Sequence, residues 1–275
     1  LNLFLELFRH HHWFEIIGVH HALLIILVGY FYLNYFKRNP HTKNASLKKQ
    51  LFITGLCLYY FASATPLHIL SEHIFSVKMV KASIVYFVVP PCLLAGIPAE
   101  MLRPIIWNYR IRQTLYILTK PILSTIIFYV LFFLYLNPNL FHFINEGWLL
   151  DELSHVTLFC FSLFMWWSII TPLKELNYLS DLYRLANLLI NGCILFGITY
   201  PFFLWDEPYK QFQDFPFPTY YSQNDDVIIG AAAILFVQKL LIIVIAGVIF
   251  YKRFKQENVI DPVNVSGLMG VKDPK

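Results

Sequence analysis

The sequence predicts an all-α membrane protein: one bundle of seven transmembrane helices with the amino terminus outside and the carboxyl terminus cytoplasmic. Three observations predict it. Apolar residues make up 57% of the 275 and charged residues only 14%, against about 45–50% and about 25% in soluble domains. The apolar excess lies in long blocks such as Val227–Tyr251, and about 20 such residues match the hydrocarbon thickness of a bilayer. Finally, Lys and Arg alternate between rich and bare connections along the chain. Together these exclude a soluble globular enzyme, a nucleic-acid-binding protein and a disordered chain.

The predicted spans are Trp13–Phe36, Gln50–Leu70, Val80–Leu102, Pro121–Leu140, Leu150–Leu173, Leu182–Trp205 and Ile228–Tyr251, each an apolar window of helical length. The blocks are apolar all round, and a membrane barrel needs alternating polarity instead. The first residues, with Glu6, Arg9 and His10–His12, lack the pattern of a signal peptide. Pro66, Pro90, Pro91, Pro98 and Pro201 fall in or beside the spans, and the Pro90–Pro91 pair is expected to break the third helix near its centre. The chain reads as one membrane domain ending in a polar tail, Glu257–Lys275. Cys57, Cys92, Cys160 and Cys193 stand alone in apolar blocks and read as buried small hydrophobes.

Orientation follows from the basic residues. Lys37, Arg38, Lys43, Lys48 and Lys49 follow the first span, Arg103, Arg110, Arg112 and Lys120 the third, and Lys252, Arg253 and Lys255 the last. The alternate connections carry only Lys78 and Lys81, none, and Lys210. The positive-inside rule places the rich connections in the cytoplasm, as expected of a multi-pass protein of a cell membrane, with the lipid bilayer as its constant partner. The outer connection Asp206–Asp226 holds Pro208, Pro216 and Pro218 among aromatic residues and is expected to lie over the bundle as a lid or docking surface.

This orientation gathers nine of the ten histidines on the outer side, His41 being the exception. His68 and Glu72 are spaced i,i+4, and so are Asp151 and His155, so each pair shares a helix face. Imidazole and carboxylate projecting together either bind a borderline metal or orient one another. His73 lies beside the first pair, and Met79 offers a soft thioether nearby. The alternative is that these are interfacial residues that cap helices and meet headgroups, the reading that suits His10–His12 and His142. Lys239, in the middle of the last span, must pair within the bundle or relay protons. No P-loop, dinucleotide fingerprint or zinc-protease motif is present, and nothing places a nucleophile near a base. An acid–base role for Asp151 and His155 is therefore disfavoured, and the chain is expected not to be an enzyme.

The stretch Pro66-Leu67-His68-Ile69-Leu70-Ser71-Glu72-His73-Ile74-Phe75-Ser76-Val77-Lys78-Met79, then Tyr86-Phe87-Val88-Val89-Pro90-Pro91 and Gly96-Ile97-Pro98, resembles the CtaG-like family of multi-span cytochrome c oxidase assembly factors, of Gram-positive type. Ser154-His155-Val156-Thr157-Leu158 and Met165-Trp166-Trp167 are similar to a second family element. The resemblance implies a membrane assembly factor for a haem–copper oxidase, linked to copper delivery or insertion on the outer side. It implies an oxidase subunit or a copper chaperone as partner. His73 and His155 fall inside the two elements, which makes His68, Glu72, His73, Met79, Asp151 and His155 the candidate metal ligands. This chain departs from the family pattern at Lys78, where the family has His, at Lys81-Ala82, and at Asp151, where another His stands. The last span keeps only Asp225, Asp226 and Gly230 of its element. Two ligands are gone and two cations have entered, which opposes metal binding by charge repulsion. A metal-free relative that scaffolds an oxidase subunit is the second reading.

Overall fold

A computed structural model describes residues 18–64, 66–145, 147–173, 175–176, 179–204 and 222–260. The histidine triplet, the start of the first predicted span, most of the aromatic outer connection and the tail beyond Ile260 lie outside them. Among the described residues every regular element is helical. They are α1 Val19–Arg38, α2 Ala45–Ser63, α3 Pro66–His73, α4 Phe75–Ser83, a π-turn Ile84–Val88, α5 Val89–Gly96, α6 Ala99–Ile106, α7 Tyr109–Leu118, α8 Pro121–Tyr135, α9 Pro138–Asn145, α10 Trp148–Ile170, α11 Asp181–Thr199 with a 3₁₀ turn Tyr200–Phe203, and α12 Gln223–Ile260.

Four described helical segments are long and apolar enough to cross a membrane: Phe75–Gly96, Leu149–Ile170, Asp181–Phe203 and Asn224–Lys255. The count rises to six if two bent pairs, α2 with α3 and α7 with α8, each make one span. The spans pack with α4 on α12, α2 on α5, α8 on α10, α10 on α5 and α11 on α12. An aromatic core fills the centre, with Tyr86, Phe87, Phe128, Tyr129 and Phe132 almost wholly buried. A smaller cluster joins α1 and α2 to α5: the Tyr32 ring stacks on Phe52 at 3.9 Å, and its hydroxyl donates to the Gly96 carbonyl at 2.9 Å. All four cysteines are free. Cys57, Cys160 and Cys193 are exposed, facing away from the core in which they were expected, because the apolar surface of such a bundle suits them equally well.

The third span departs from expectation at both ends and in its middle. It begins at Phe75 rather than Val80, since Ile74 alone, in extended conformation, separates α3 from α4. Lys78 and Lys81 therefore lie on a buried helix and not in a connection. Pro90 and Pro91 do not break it. A helix carbonyl is normally taken by the N–H four residues on, or five on in a π-turn. For Tyr86 those positions are Pro90 and Pro91, and neither has an N–H. The Val89 N–H reaches the Ile84 carbonyl in π register, and the freed Tyr86 carbonyl accepts instead from the Ser162 hydroxyl and, at 3.1 Å, from Trp166 Nε1 of α10. The proline pair thus ties the third span to α10 at one point.

Candidate functional site

That tie positions the site. Asp151, His155, Ser162 and Trp166 recur at helical spacing along one side of α10. With Ser162 and Trp166 fastened to the Tyr86 backbone, His155 comes level with the Tyr86 side chain. The Tyr86 hydroxyl stands 2.5 Å from His155 Nδ1, the two rings lie 6.3 Å apart and nearly parallel, and the Tyr135 ring approaches His155 at 5.6 Å. On its other edge, His155 Nε2 faces Asp151 Oδ1 at 3.5 Å. A carboxylate facing Nε2 places the proton there, so Nδ1 accepts from the tyrosine; this assignment follows from the hydrogen-bond network.

The second imidazole is held in the same way from α3. His68 Nε2 faces Glu72 Oε1 at 3.8 Å, and Lys81 Nζ of α4 lies 2.8 Å from His68 Nδ1. An ammonium has only donors to offer, so His68 Nδ1 is the acceptor. Lys81 is 8% exposed and Lys78 6% exposed, which for two lysines requires compensation nearby. For Lys81 the carboxylates within electrostatic reach are Asp151, Glu72 and Glu152. Lys78 Nζ sits 4.1 Å from the Phe141 ring centroid and 5.8 Å from that of Tyr135, an arrangement in which ring quadrupoles stabilise a cation. On α1, His21 Nε2 lies 3.9 Å from Glu152 Oε1. Lys81, Lys78, His68 and His21 all act electrostatically on His155, so α1, α3, α4 and α10 contribute to one charged cluster.

Of the six residues predicted from sequence, His68, Glu72, Asp151 and His155 stand in this cluster. His73 ends α3 and is partly buried. Met79 is 1% exposed and turns to α12: its Cγ lies 3.1 Å from where a Cβ on Gly230 would stand. Tyr86 and Glu152 were not predicted, and Lys81 entered the sequence reading only as a cation that departs from the family pattern. Nothing in local spacing reveals them, because each reaches the site from another helix or another face.

The donor set does not fit a copper ion. Copper needs imidazole lone pairs, and in His68 and His155 the Nδ1 lone pair accepts from Lys81 or Tyr86 while Nε2 faces a carboxylate. Among the described residues, no three His, Cys, Asp or Glu side chains form a group able to hold a metal. The arrangement sets two buried lysines among imidazoles and carboxylates drawn from α1, α3, α4 and α10.

A second buried constellation links α8, α10, α11 and α12. Asn187 Nδ2 donates to Ser168 Oγ at 3.0 Å, Asn191 Nδ2 to the Asn187 carbonyl at 2.7 Å, and Gln238 Nε2 to both Tyr129 Oη and the Asn191 carbonyl at 3.0 Å. Beside it Lys239 Nζ donates to the Gly192 carbonyl at 3.1 Å, the backbone pairing that its place in the span requires.

A family model described as "cytochrome c oxidase caa3 assembly factor (Caa3_CtaG)" matches residues 28–256. No curated protein and no solved structure matches the chain.

Proposed function

Since the chain belongs to the caa3-type cytochrome c oxidase assembly factors, we propose that it serves oxidase maturation without catalysis, as a membrane scaffold that holds an oxidase subunit and does not itself carry copper. The single observation that supports this reading is Lys81 on His68 Nδ1 at 2.8 Å. An ammonium occupies the place a metal would take, with a second buried lysine, Lys78, in the same cluster. Copper delivery, with His68, His73 and His155 as ligands, remains the competing reading, and the carboxylate-paired rings support it less well. A direct test is to purify the chain from oxidase-producing cells. The expected preparation contains an oxidase subunit and far less than one copper per chain. Near-stoichiometric copper, lost in His68→Ala and His155→Ala, would overturn the scaffold role in favour of copper delivery.

Seven spans in the plasma membrane, amino terminus outside, complete the proposal. The long apolar helices and the basic residues after Arg103 and Tyr251 support it. A reporter fused after Lys255 is expected to read as cytoplasmic, and one inserted at Gln213 as external. Two reporters on the same side would overturn the seven-span model.

A further inference from the structure

The last span carries a charge where its own fold leaves it facing outward. Lys239 is the only charged residue in Val227–Tyr251, equally far along the chain from Asp226 and Lys252. Its side chain is exposed on a helix of which only 17% of the apolar window is buried. Phe236 and Ile243, 68% and 71% exposed, share its face at i−3 and i+4, and Leu240, 51% exposed, lies beside them.

A lysine near a membrane surface escapes by extending its ammonium to the headgroups. Lys239 does not. It donates to Gly192, the central residue of the span Asp181–Phe203, so the charge stays at mid-depth. That one bond leaves two of its three donors without an acceptor among the described residues. A bilayer interior supplies none, which makes this one of the costliest placements a side chain can have. The placement is also held rigidly. Gln238 is 1% exposed, and its bonds to Tyr129 and Asn191 fix α12 against α8 and α11 next to Lys239. A glycine at 192 lets the ammonium approach, since a Cβ there would stand 2.9 Å from Nζ.

We propose that the α11–α12 seam around Lys239 is the docking surface for a transmembrane helix of another protein, one that presents an Asp or Glu side chain at mid-bilayer. The incoming carboxylate supplies the missing acceptors, and its helix covers Phe236, Leu240 and Ile243. Charge complementarity selects this occupant over a second copy of the chain. A two-fold pair packed on this seam would bring two Lys239 ammonium groups together in a low-dielectric medium. The inference rests on the proposed scaffold role only for the partner's identity, an oxidase subunit.

The experiment places a photocrosslinking amino acid at Ile243 of the full chain in intact oxidase-producing cells, with the same group at Ile26 of α1, which is 67% exposed, as control. The expected adduct from position 243, and not from 26, is a membrane protein whose crosslinked peptide is an apolar segment containing Asp or Glu. Lys239→Met should reduce that adduct by about tenfold or more, as when one member of a buried charge pair is truncated, while Lys239→Arg retains it. Adducts with lipid alone, adducts with a second copy of the chain, or a yield unaffected by Lys239→Met would each overturn the docking surface. The two readings fail separately. An oxidase subunit that co-purifies yet never crosslinks from position 243 removes the docking surface and leaves the scaffold role. A crosslinked acidic-helix protein unrelated to the oxidase does the reverse.

Discussion

Replacing Lys81 by Met is expected to destabilise the folded chain by about 3–5 kcal/mol, the range for removing one partner from a buried ionic cluster. Met nearly matches the volume of the lysine stem, so the loss is one of charge and not of packing. Lys81 is buried and bonded to His68 Nδ1, with Asp151, Glu72 and Glu152 acting on it. Without it, Asp151, whose Oδ1 is buried and 3.5 Å from His155 Nε2, loses one of the two cations that act on its charge. Lys78 is the other, and it keeps the effect within that range. The thermal unfolding midpoint of the detergent-purified protein measures this directly. Lys81→Met/Asp151→Asn should recover part of the loss, because it removes charge of both signs, and the double-mutant cycle gives the coupling. Glu72→Gln should have little effect, since the Glu72 side chain is 53% exposed and water screens it. A Lys81→Met midpoint equal to that of the parent would show that the cluster is not held together by charge.

These residues also show how far the sequence could be read. Blocks such as Val227–Tyr251 are legible because lipid-facing helices need apolar residues all round, and the structure places long helices there. The i,i+4 pairs His68–Glu72 and Asp151–His155 are legible because helical spacing is local, and in both pairs the imidazole Nε2 faces the carboxylate, at 3.8 and 3.5 Å. What depends on another helix was not legible. Lys78 and Lys81 read as connection because charge argues against a span; their compensation by rings of α8 and α9 and carboxylates of α10 is a tertiary fact. Pro90–Pro91 read as a break because the donors that satisfy the Tyr86 carbonyl lie more than seventy residues downstream, at Ser162 and Trp166. Met79 read as a ligand because its neighbours in sequence are histidines, whereas its side chain turns toward Gly230 on α12.

The start of the third span was hidden for the same reason, and it leads to the other large effect. Asp226→Ala is expected to destabilise the chain by about 2–4 kcal/mol. A single residue, Ile74, separates α4 from α3, with no side chain capping the first turn of α4 from its own N-cap, and the first N–H groups of a helix have no partner within it. Asp226, from the first turn of α12, supplies one: Oδ2 accepts from Phe75 N–H at 2.8 Å and Oδ1 from Ser76 N–H at 3.3 Å. The carboxylate is 7% exposed, so its charge meets the positive end of the α4 dipole with little water between them. Alanine would remove the carboxylate that accepts from both N–H groups, and Asn would retain a single good acceptor and fall between. The adjacent Asp225 is the internal control. It is exposed, and with Ser222 it closes a capping box on its own helix: Ser222 N–H donates to Asp225 Oδ2 at 3.0 Å, and Asp225 N–H to Ser222 Oγ at 3.2 Å. Asp225→Ala should therefore lose about 1 kcal/mol, as an ordinary cap does. Because α4 carries Lys78 and Lys81 into the cluster, Asp226→Ala should also impair oxidase maturation, whereas Asp225→Ala should leave it intact. Equal, small shifts in the unfolding midpoint for the two aspartates would mean that α4 holds its start without Asp226.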